Sequence, residues 1–215
     1  MNSETLAKLF NTRSVDVQAD SEIVRFHYRL LQPTGRKQSH PYPLVVSLHG
    51  AGERGNDNIM QLEYFPAWLA KRPVWRTFPC FVLAPRCREN CQWNDCDWDN
   101  KQSVPLTSRP SVDLSAAIEV MDTVIASEPV DVQRIYVVGL SMGGYGAWDL
   151  VSKMPSRFAA VVPIFGGGDK NQAEKNSHVP IWCFHGAADA VVPVERSRSM
   201  IAAIRSAGGR PQYSE

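Results

Sequence analysis

Five short, almost continuous apolar runs constrain the fold of this chain more than any other feature. They are LVVSLHG at 44–50, CFVLAP at 80–85, RIYVVGL at 134–140, FAAVVPIFG at 158–166 and IWCFHG at 181–186. Runs without polar alternation are typical of parallel strands that are buried on both faces. Helical patterns lie between them, and alternating strands and helices favour right-handed crossovers and a mostly parallel sheet. The sequence therefore predicts a doubly wound α/β domain.

Helices and one different kind of strand are also predicted from the spacing of apolar residues. The segments with helical spacing are 111–128, 143–154 and 194–207. Ser111 gives the first helix a plausible start, and Gly208 follows the third as a stop signal. Residues 22–31 alternate apolar and polar side chains, which predicts a half-buried antiparallel strand, and 33–43 (PTGRKQSHPYP) is a loop by composition.

Size and charge narrow the class of protein. The 215 residues, 44% of them hydrophobic, suffice for one sizeable core, so we expect a single domain over 1–215. A formal net charge of +1 gives no reason to expect nucleic acid or an anionic membrane as partner. The sequence leaves the oligomeric state open, and a homo-oligomer is one alternative. No apolar run approaches the roughly 20 residues that span a bilayer. The first residues lack a signal peptide, which predicts a cytoplasmic protein, or an exported one whose leader was removed.

The five cysteines do not form a recognisable metal or disulfide pattern. Cys87, Cys91 and Cys96 are spaced by four and five residues, whereas zinc sites favour C-x2-C pairs with a second pair or histidines nearby. We therefore predict no metal. A disulfide between Cys91 and Cys96 stays open for an exported protein, with unpaired thiols as the default. Cys80 and Cys183 lie in apolar runs and are expected in the core.

A serine among glycines is the strongest candidate for chemistry. Residues 139–143 (GLSMG) match G-x-S-x-G, with a predicted strand before them and a predicted helix after. A serine on such a tight turn has strained dihedral angles, and side chains two positions away would collide with neighbouring backbone. The turn would expose the Ser141 hydroxyl and direct the N–H of Met142 towards a developing oxyanion. The alternative is a glycine-rich turn with an idle serine.

A second glycine-rich segment, LHGAGERG, follows an earlier predicted strand. An oxyanion hole needs a second N–H from a loop in this position, and small residues allow close approach of a substrate carbonyl. We expect Ala51 to supply that N–H, with Gly52 as a neighbour that contacts substrate. His49 is expected to organise the loop rather than transfer protons. Glu53 and Arg54 pair with each other or anchor the loop, in preference to contacting substrate.

The third candidate is an acid at the end of the last complete apolar run, in HGAAD. Asp189 stands 48 residues after Ser141, where a triad acid would fix the tautomer of an imidazole. The alternative is that Asp189 only forms a turn before Val191. Asp169, in FGGGD, is a weaker rival, and His185 is expected to point into the structure.

Four motifs in order, HGAGERGNDN, GLSMGGYGAWDL, PIFGGGD and FHGAADAVVP, resemble esterases of the α/β-hydrolase superfamily. The similarity is to the polyhydroxybutyrate-depolymerase-like and dienelactone-hydrolase-like groups, which include proteins described as predicted peptidases or phospholipase/carboxylesterases. It covers roughly residues 22–215. The resemblance implies an α/β-hydrolase fold, Ser141 as nucleophile, Asp189 as acid, the N–H groups of Met142 and Ala51 as oxyanion hole, and no cofactor.

The triad histidine is the point at which the sequence departs from this family. In such proteins it follows the last strand, roughly thirty residues after the acid. The histidines here all precede Asp189: His27, His40, His49, His178 and His185. Either the domain continues past residue 215, or an internal histidine serves, or the protein is a non-catalytic relative. The final RPQYSE resembles half a strand, so we expect the fold to lack its C-terminal end within residues 1–215 and to find the histidine beyond them.

The predicted activity is that of a serine carboxylesterase acting on a small-molecule ester through an acyl-enzyme. Trp93 and Trp98, in QWNDCDWDN, either line a substrate pocket or pack beneath a long loop, while Trp148 and Trp182 are expected in the core. A serine peptidase of the same fold and a non-catalytic binding protein are the alternatives. For residues 1–215 alone we expect very slow turnover, because a triad member is missing.

Overall fold

The computed structural model describes residues 2–19, 22–37, 40–98 and 100–215. Its strands are β1 (Phe10–Ala19), β2 (Glu22–Leu31), β3 (Tyr42–Leu48), β4 (Phe81–Pro85), β5 (Val130–Leu140), β6 (Ala160–Ile164), β7 (Trp182–Phe184) and β8 (Gln212–Ser214). Its helices are α1 (Ser3–Ala7), α2 (Phe65–Leu69), α3 (Arg72–Thr77), α4 (Val112–Ser127), α5 (Met142–Lys153), α6 (Ala173–Asn176) and α7 (Glu195–Ser206).

These strands form one sheet in the order β1-β2-β4-β3-β5-β6-β7-β8. The pairs from β4 to β8 are parallel, whereas β2 pairs antiparallel with both β1 and β4. The predicted α/β fold with a mostly parallel sheet is therefore confirmed, and so is the antiparallel strand at 22–31. The connections β3-α3-β4, β4-α4-β5 and β5-α5-β6 make this a doubly wound arrangement.

The three predicted helices are confirmed to within two residues at each end. α4 begins after Ser111, whose hydroxyl accepts a hydrogen bond from the N–H of Leu114 at 3.1 Å. The short α1, α2, α3 and α6 and the strand β1 were not predicted. In β1 the apolar positions are too sparse for a clear pattern, and the strand is stabilised by pairing along its whole length with β2. Gln38 and Ser39 of the predicted loop lie outside the described residues.

The core lies on both faces of the central strands. On one face Leu44, Val46 and Leu48 of β3 share a cluster with Leu114 of α4 and Trp148 of α5, which confirms Trp148 as a core residue. The opposite face carries a second cluster, in which Leu6 of α1 and Leu69 and Ala70 at the end of α2 pack with Val82 and Ala84 of β4. Cys80 and Cys183 are buried as predicted, and all five cysteines are free thiols.

The C-terminal part of the sheet is more fully buried on one face than on the other. Val161 and Cys183 are buried, but Ile164 and Phe184, which point the other way, are only half-buried. Trp182 is 46% exposed, and its indole N–H donates to the hydroxyl of Ser214 at 3.0 Å. The prediction that Trp182 is a core residue was therefore wrong, because its side chain lies on the more exposed side of β7. In the described ranges we also find no helix that is long and apolar enough to cross a membrane.

Candidate active site

Ser141 occupies a strained turn between β5 and α5. Its φ of 53° and ψ of −115° lie in a region that residues other than glycine rarely adopt. The turn is held by the backbone, because the N–H of Ser141 donates to the carbonyl of Ile164 at 2.8 Å and the carbonyl of Ser141 accepts from the N–H of Tyr145 at 3.1 Å. The serine side chain makes no capping hydrogen bond. Its hydroxyl is thus available at the carboxyl end of β5.

The two glycines of the G-x-S-x-G motif are required by close backbone contacts. A Cβ on Gly139 would overlap the carbonyl of Gly143, and a Cβ on Gly143 would overlap the carbonyl of Leu48. The second contact also joins the turn to the loop that follows β3. The motif therefore determines where this loop lies relative to Ser141.

His49 organises that loop, as predicted. Its Nδ1 donates to the carbonyl of Gly50 at 2.7 Å, and its Nε2 accepts a hydrogen bond from the N–H of Cys87 at 2.9 Å. The residue is 5% exposed, and burial lowers the pKa of its imidazole to about 4. With both ring nitrogens engaged, His49 has no position left to accept the proton of Ser141.

Glu53 and Arg54 anchor the same loop to itself and to a neighbouring segment. The carboxylate of Glu53 accepts a hydrogen bond from the N–H of Gly50 at 2.7 Å. Arg54 donates to the carbonyl of Ala51 at 3.0 Å and to the carbonyl of Cys91 at 3.0 Å. Of the two interpretations for Glu53 and Arg54, anchoring is the one that the structure contains.

Two helical turns begin beside Ser141, and the first residue of each has a backbone N–H that points out of its turn. Ala51 starts the 3₁₀ turn Ala51–Glu53, Met142 starts α5, and neither N–H has an acceptor within the described part of the chain. Gly50 brings the two turns together, since a Cβ placed on it would lie 3.6 Å from Cβ of Ser141. Gly52 is exposed, with open space around it, and its role in substrate binding stays a prediction.

Asp189 lies at the same edge of the sheet, beyond the end of β7. Its Oδ1 accepts hydrogen bonds from the N–H groups of Val191 and Val192 at 2.9 and 3.0 Å. Its Oδ2 is 3.8 Å from Nε2 of His185, which is too long for a hydrogen bond. Burial raises the pKa of Tyr145 in the first turn of α5, and the Asp189 charge adds to that shift. Asp189 thus forms the turn described by the alternative interpretation, and its Oδ2 has no hydrogen-bond donor in the described part of the chain.

His185 and Asp169 are occupied elsewhere. His185 is buried, as predicted, with Nδ1 2.7 Å from the hydroxyl of Ser197 and Nε2 3.0 Å from the carbonyl of Val192. Asp169 is buried and accepts from the N–H groups of Asn171 at 3.0 Å and Leu106 at 3.3 Å. These bonds give the rival acid a structural role in the loop after β6.

Comparison with known proteins shows the family and the fold of this chain. Residues 99–212 match the model of the dienelactone hydrolase family. The chain belongs to that family. A thermostable esterase of known structure is similar, with 37% identity and a TM-score of 0.88 over 98% of this chain and 55% of that one. A ferulic acid esterase shares the fold at 16% identity and a TM-score of 0.67, over 95% of this chain and 88% of that one.

Two proteins of Oryza sativa subsp. japonica are also similar to this dienelactone hydrolase family member. A probable carboxylesterase is 28% identical over 182 residues, 78% of this chain and 76% of the relative. A probable inactive carboxylesterase is 25% identical over 177 residues, 76% of this chain and 71% of the relative. The chain thus spans about half of the thermostable esterase and about three quarters of the rice proteins.

Trp93, one of the two tryptophans considered as lining of a substrate pocket, is part of the core of this family member. Trp93 is 0% exposed, its ring packs edge-on against His49 and its indole N–H donates to the His49 carbonyl at 2.9 Å. The prediction that Trp93 lines a substrate pocket was wrong, because the loop closes over it. Trp98 is partly exposed and packs against Cys96, Tyr145 and Val192, and its contact with substrate stays a prediction. Asp99 of the same segment lies outside the described residues.

Sequence reasoning missed the residues around α2 altogether. Tyr64 precedes this helix with a φ of 59°, and a cavity beside it reaches Glu53, Leu140 and Ile164 next to the serine turn. The composition of this segment is the available signal: in EYFPAW, at 63–68, three aromatic side chains follow an acid.

Proposed function

We propose that this protein is a serine carboxylesterase in which Ser141 forms an acyl-enzyme with a small-molecule ester. One observation carries the proposal: a serine in a strained turn stands beside two N–H groups, of Met142 and Ala51, that have no acceptor in the described residues. A carbonyl attacked by the serine hydroxyl develops negative charge on its oxygen, and two such donors would stabilise it. Water then cleaves the acyl-enzyme, with no metal or organic cofactor.

The acid of the proposed triad is Asp189, and the base is a histidine beyond residue 215. Two backbone N–H groups hold Oδ1 of Asp189, and Oδ2 has no hydrogen-bond donor among the residues described, which suits a carboxylate that orients an imidazole. β8 runs parallel to β7, and the carbonyl of Ser214 accepts from the N–H of His185 at 3.0 Å. A segment following β8 would therefore start at the edge that carries Ser141. We include it in the same α/β domain.

The positions of the histidines within residues 1–215 support a catalytic base beyond residue 215. His49 and His185 use both ring nitrogens in hydrogen bonds. His40 and His178 precede β3 and β7 and so lie towards the opposite edge of the sheet, and His27 is on β2, three strands from β5. None of them is positioned to take the proton of Ser141.

The names of the relatives support ester chemistry and also a second candidate function. The thermostable esterase and the rice carboxylesterase favour an esterase. The rice relative described as a probable inactive carboxylesterase favours a protein that keeps the fold without turnover. A peptidase has less support, because an amine leaving group requires accurately placed protonation by the base.

The test uses the full-length protein with a fluorophosphonate probe and a short-chain nitrophenyl ester. We expect labelling and hydrolysis in the wild type, loss of both in Ser141→Ala, and retention of both in Ser156→Ala, which changes an exposed serine away from the site. Absence of labelling and hydrolysis in a folded wild-type protein would favour the non-catalytic candidate.

A further inference from the structure

A cavity of about 230 Å³ lies between α2 and the sheet, next to the serine turn. Its lining includes Leu140 and Ile164 at the carboxyl ends of β5 and β6. Gly50 separates it from the nucleophile, because a Cβ placed on Gly50 would lie 2.8 Å from Oε2 of Glu53 and 3.6 Å from Cβ of Ser141. The cavity is therefore close enough to receive one end of a molecule bound at Ser141.

Two carboxylates without a cationic partner face this cavity. Glu53 and Glu63 both line it, and neither forms an ion pair with a lysine, arginine or histidine within the described ranges. Burial raises the pKa of Glu53, and the charge of Glu63 raises it further. Partly buried carboxylates are normally paired, so this pair of acids leaves a negative potential in the cavity uncompensated.

An amide oxygen in the same lining also lacks a partner. Gln61 is 1% exposed, and its Nε2 donates to Oδ1 of Asn58. Its Oε1 is buried and has no hydrogen-bond donor among the described residues. A buried acceptor left unpaired costs about 1–3 kcal/mol, which a ligand with an N–H group would relieve. Three side chains of the lining thus carry oxygen acceptors: the carboxylates of Glu53 and Glu63 and the amide of Gln61.

Aromatic side chains form the outer rim of the cavity. Tyr64 and Trp68 are largely exposed, and the rings of Phe65 and Trp68 lie 5.8 Å apart. Aromatic faces attract cations. Anionic oxygens inside and aromatic rings at the rim therefore favour a positively charged ligand.

We propose that this cavity, lined by Glu53, Gln61 and Glu63 and rimmed by Tyr64 and Trp68, binds a primary ammonium group of the ester substrate. A primary ammonium carries three N–H donors, which match two carboxylates and the amide oxygen of Gln61. A metal ion fits less well, because the described residues contain no group of three histidine, cysteine, aspartate or glutamate side chains placed to hold one. The proposal rests on the proposed esterase function for the identity of the ligand as substrate.

The first test measures binding without catalysis. Calorimetric titration of the full-length protein with n-butylammonium chloride at pH 7 should give saturable binding, and 1-butanol should give none. Glu63→Gln should weaken ammonium binding about tenfold, since it removes one charge from a weakly solvated site. Glu119→Gln, which changes an exposed acid on α4, should leave it unaltered. Thermal unfolding of both variants checks that they are folded.

Gln61→Leu supplies a second, independent variant, because it removes the unpaired acceptor without changing charge. It too should weaken butylammonium binding. Equal binding of butylammonium and butanol, or binding that is unaffected by Glu63→Gln, would overturn the proposal. Binding of Mg²⁺ or Ca²⁺ in place of butylammonium would overturn it as well.

The second test asks whether the site selects substrates. The nitrophenyl ester of 6-aminohexanoate is compared with that of heptanoate, which has a methyl group in place of the ammonium. We expect kcat/KM to favour the amino ester by about tenfold in the wild type and to be nearly equal in Glu63→Gln. Hydrolysis of both esters without preference would refute the ammonium site and leave the esterase standing. Absence of hydrolysis, with Glu63-dependent butylammonium binding intact, would refute the esterase and leave the ammonium site standing.

Discussion

The turn that carries Ser141 and the turn that carries Asp189 lie at the same edge of the sheet but are held in different ways. Around Ser141 the backbone is packed so closely that Gly139 and Gly143 have no room for a Cβ. Around Asp189 there is space, since a Cβ on Gly186 would have no neighbour within 4 Å, and the turn depends on two hydrogen bonds to the carboxylate. Steric contacts fix the proposed nucleophile, and polar contacts fix the proposed acid. The two turns should therefore respond differently to substitution.

The largest expected effect separates catalysis from folding at Asp189. Asp189→Asn keeps an oxygen for the N–H groups of Val191 and Val192, so the turn should persist. Because Asp189 is the proposed acid of the triad, kcat of this variant should nevertheless fall by about 10³- to 10⁴-fold, since an amide cannot hold the correct tautomer of the histidine. Ester hydrolysis and thermal unfolding of the full-length protein measure the two effects. A variant with nearly normal kcat would show that Asp189 only forms the turn.

The steric side of the comparison is tested by two glycine-to-alanine changes. Gly143→Ala places a Cβ against the carbonyl of Leu48, and we expect it to lower the free energy of unfolding by about 3 kcal/mol or more. Gly186→Ala places a Cβ in open space near Asp189, and it should change the free energy of unfolding by less than about 0.5 kcal/mol. Denaturant unfolding of both variants decides the matter. Similar values for the two would mean that the serine turn yields more easily than its contacts imply.

His49 should make the region around the serine turn sensitive to acid. Its pKa is about 4 in the folded protein, against 6.5 for an unperturbed histidine, so above pH 6.5 both states are neutral and stability is highest. As the pH falls from 6.5 to 4, His49 binds a proton in the unfolded state but stays largely neutral in the folded state. The free energy of unfolding should drop by about 3 kcal/mol over this window.

The measurement is a series of denaturant titrations between pH 7.5 and pH 4. His49→Gln should lose this component of the pH dependence, and the exposed His178→Gln should retain it. An unchanged pH profile in His49→Gln would contradict the assignment of the effect to His49.

The smallest predicted effect concerns the loop that carries the proposed second oxyanion donor. Arg54→Ala removes the hydrogen bonds to the carbonyls of Ala51 and Cys91. We expect kcat to fall about tenfold with KM little changed, since the loop would hold the Ala51 N–H less firmly in the transition state. Arg54→Lys should recover part of the loss. A change in KM alone would indicate that Arg54 contacts substrate instead.

Much of the fold could be predicted because strand burial and helix ends are local properties. The apolar runs that became β3 to β7 are continuous, and Ser111 and Gly208 mark the ends of their helices. The strand β1 escaped prediction because its stability comes from pairing with β2, which a local pattern does not contain. α2 and α3 are too short to establish a helical period.

Side-chain roles were harder to predict than elements. A tryptophan in a loop is compatible with a pocket or a core, and only the closure of the loop over His49 buries Trp93. Trp182 gave the opposite error, because an apolar run does not show which of its side chains stay exposed. The acids at 53 and 63 drew no attention as a pair, since they come together only through the packing of α2 against the sheet.

By itself the sequence determined the α/β order, the position of the strained serine turn and the need for glycine on both sides of it. These follow from local sterics and from the continuous burial of parallel strands. Tertiary structure decided which polar groups remain free. It engages both ring nitrogens of His49 and His185. Among the residues that the structure describes, it leaves the N–H groups of Ala51 and Met142 without acceptors and places Glu53, Gln61 and Glu63 around a cavity without a cationic side chain paired to them. Hydrogen bonding and desolvation depend on residues distant in the chain, so no local pattern could have supplied them.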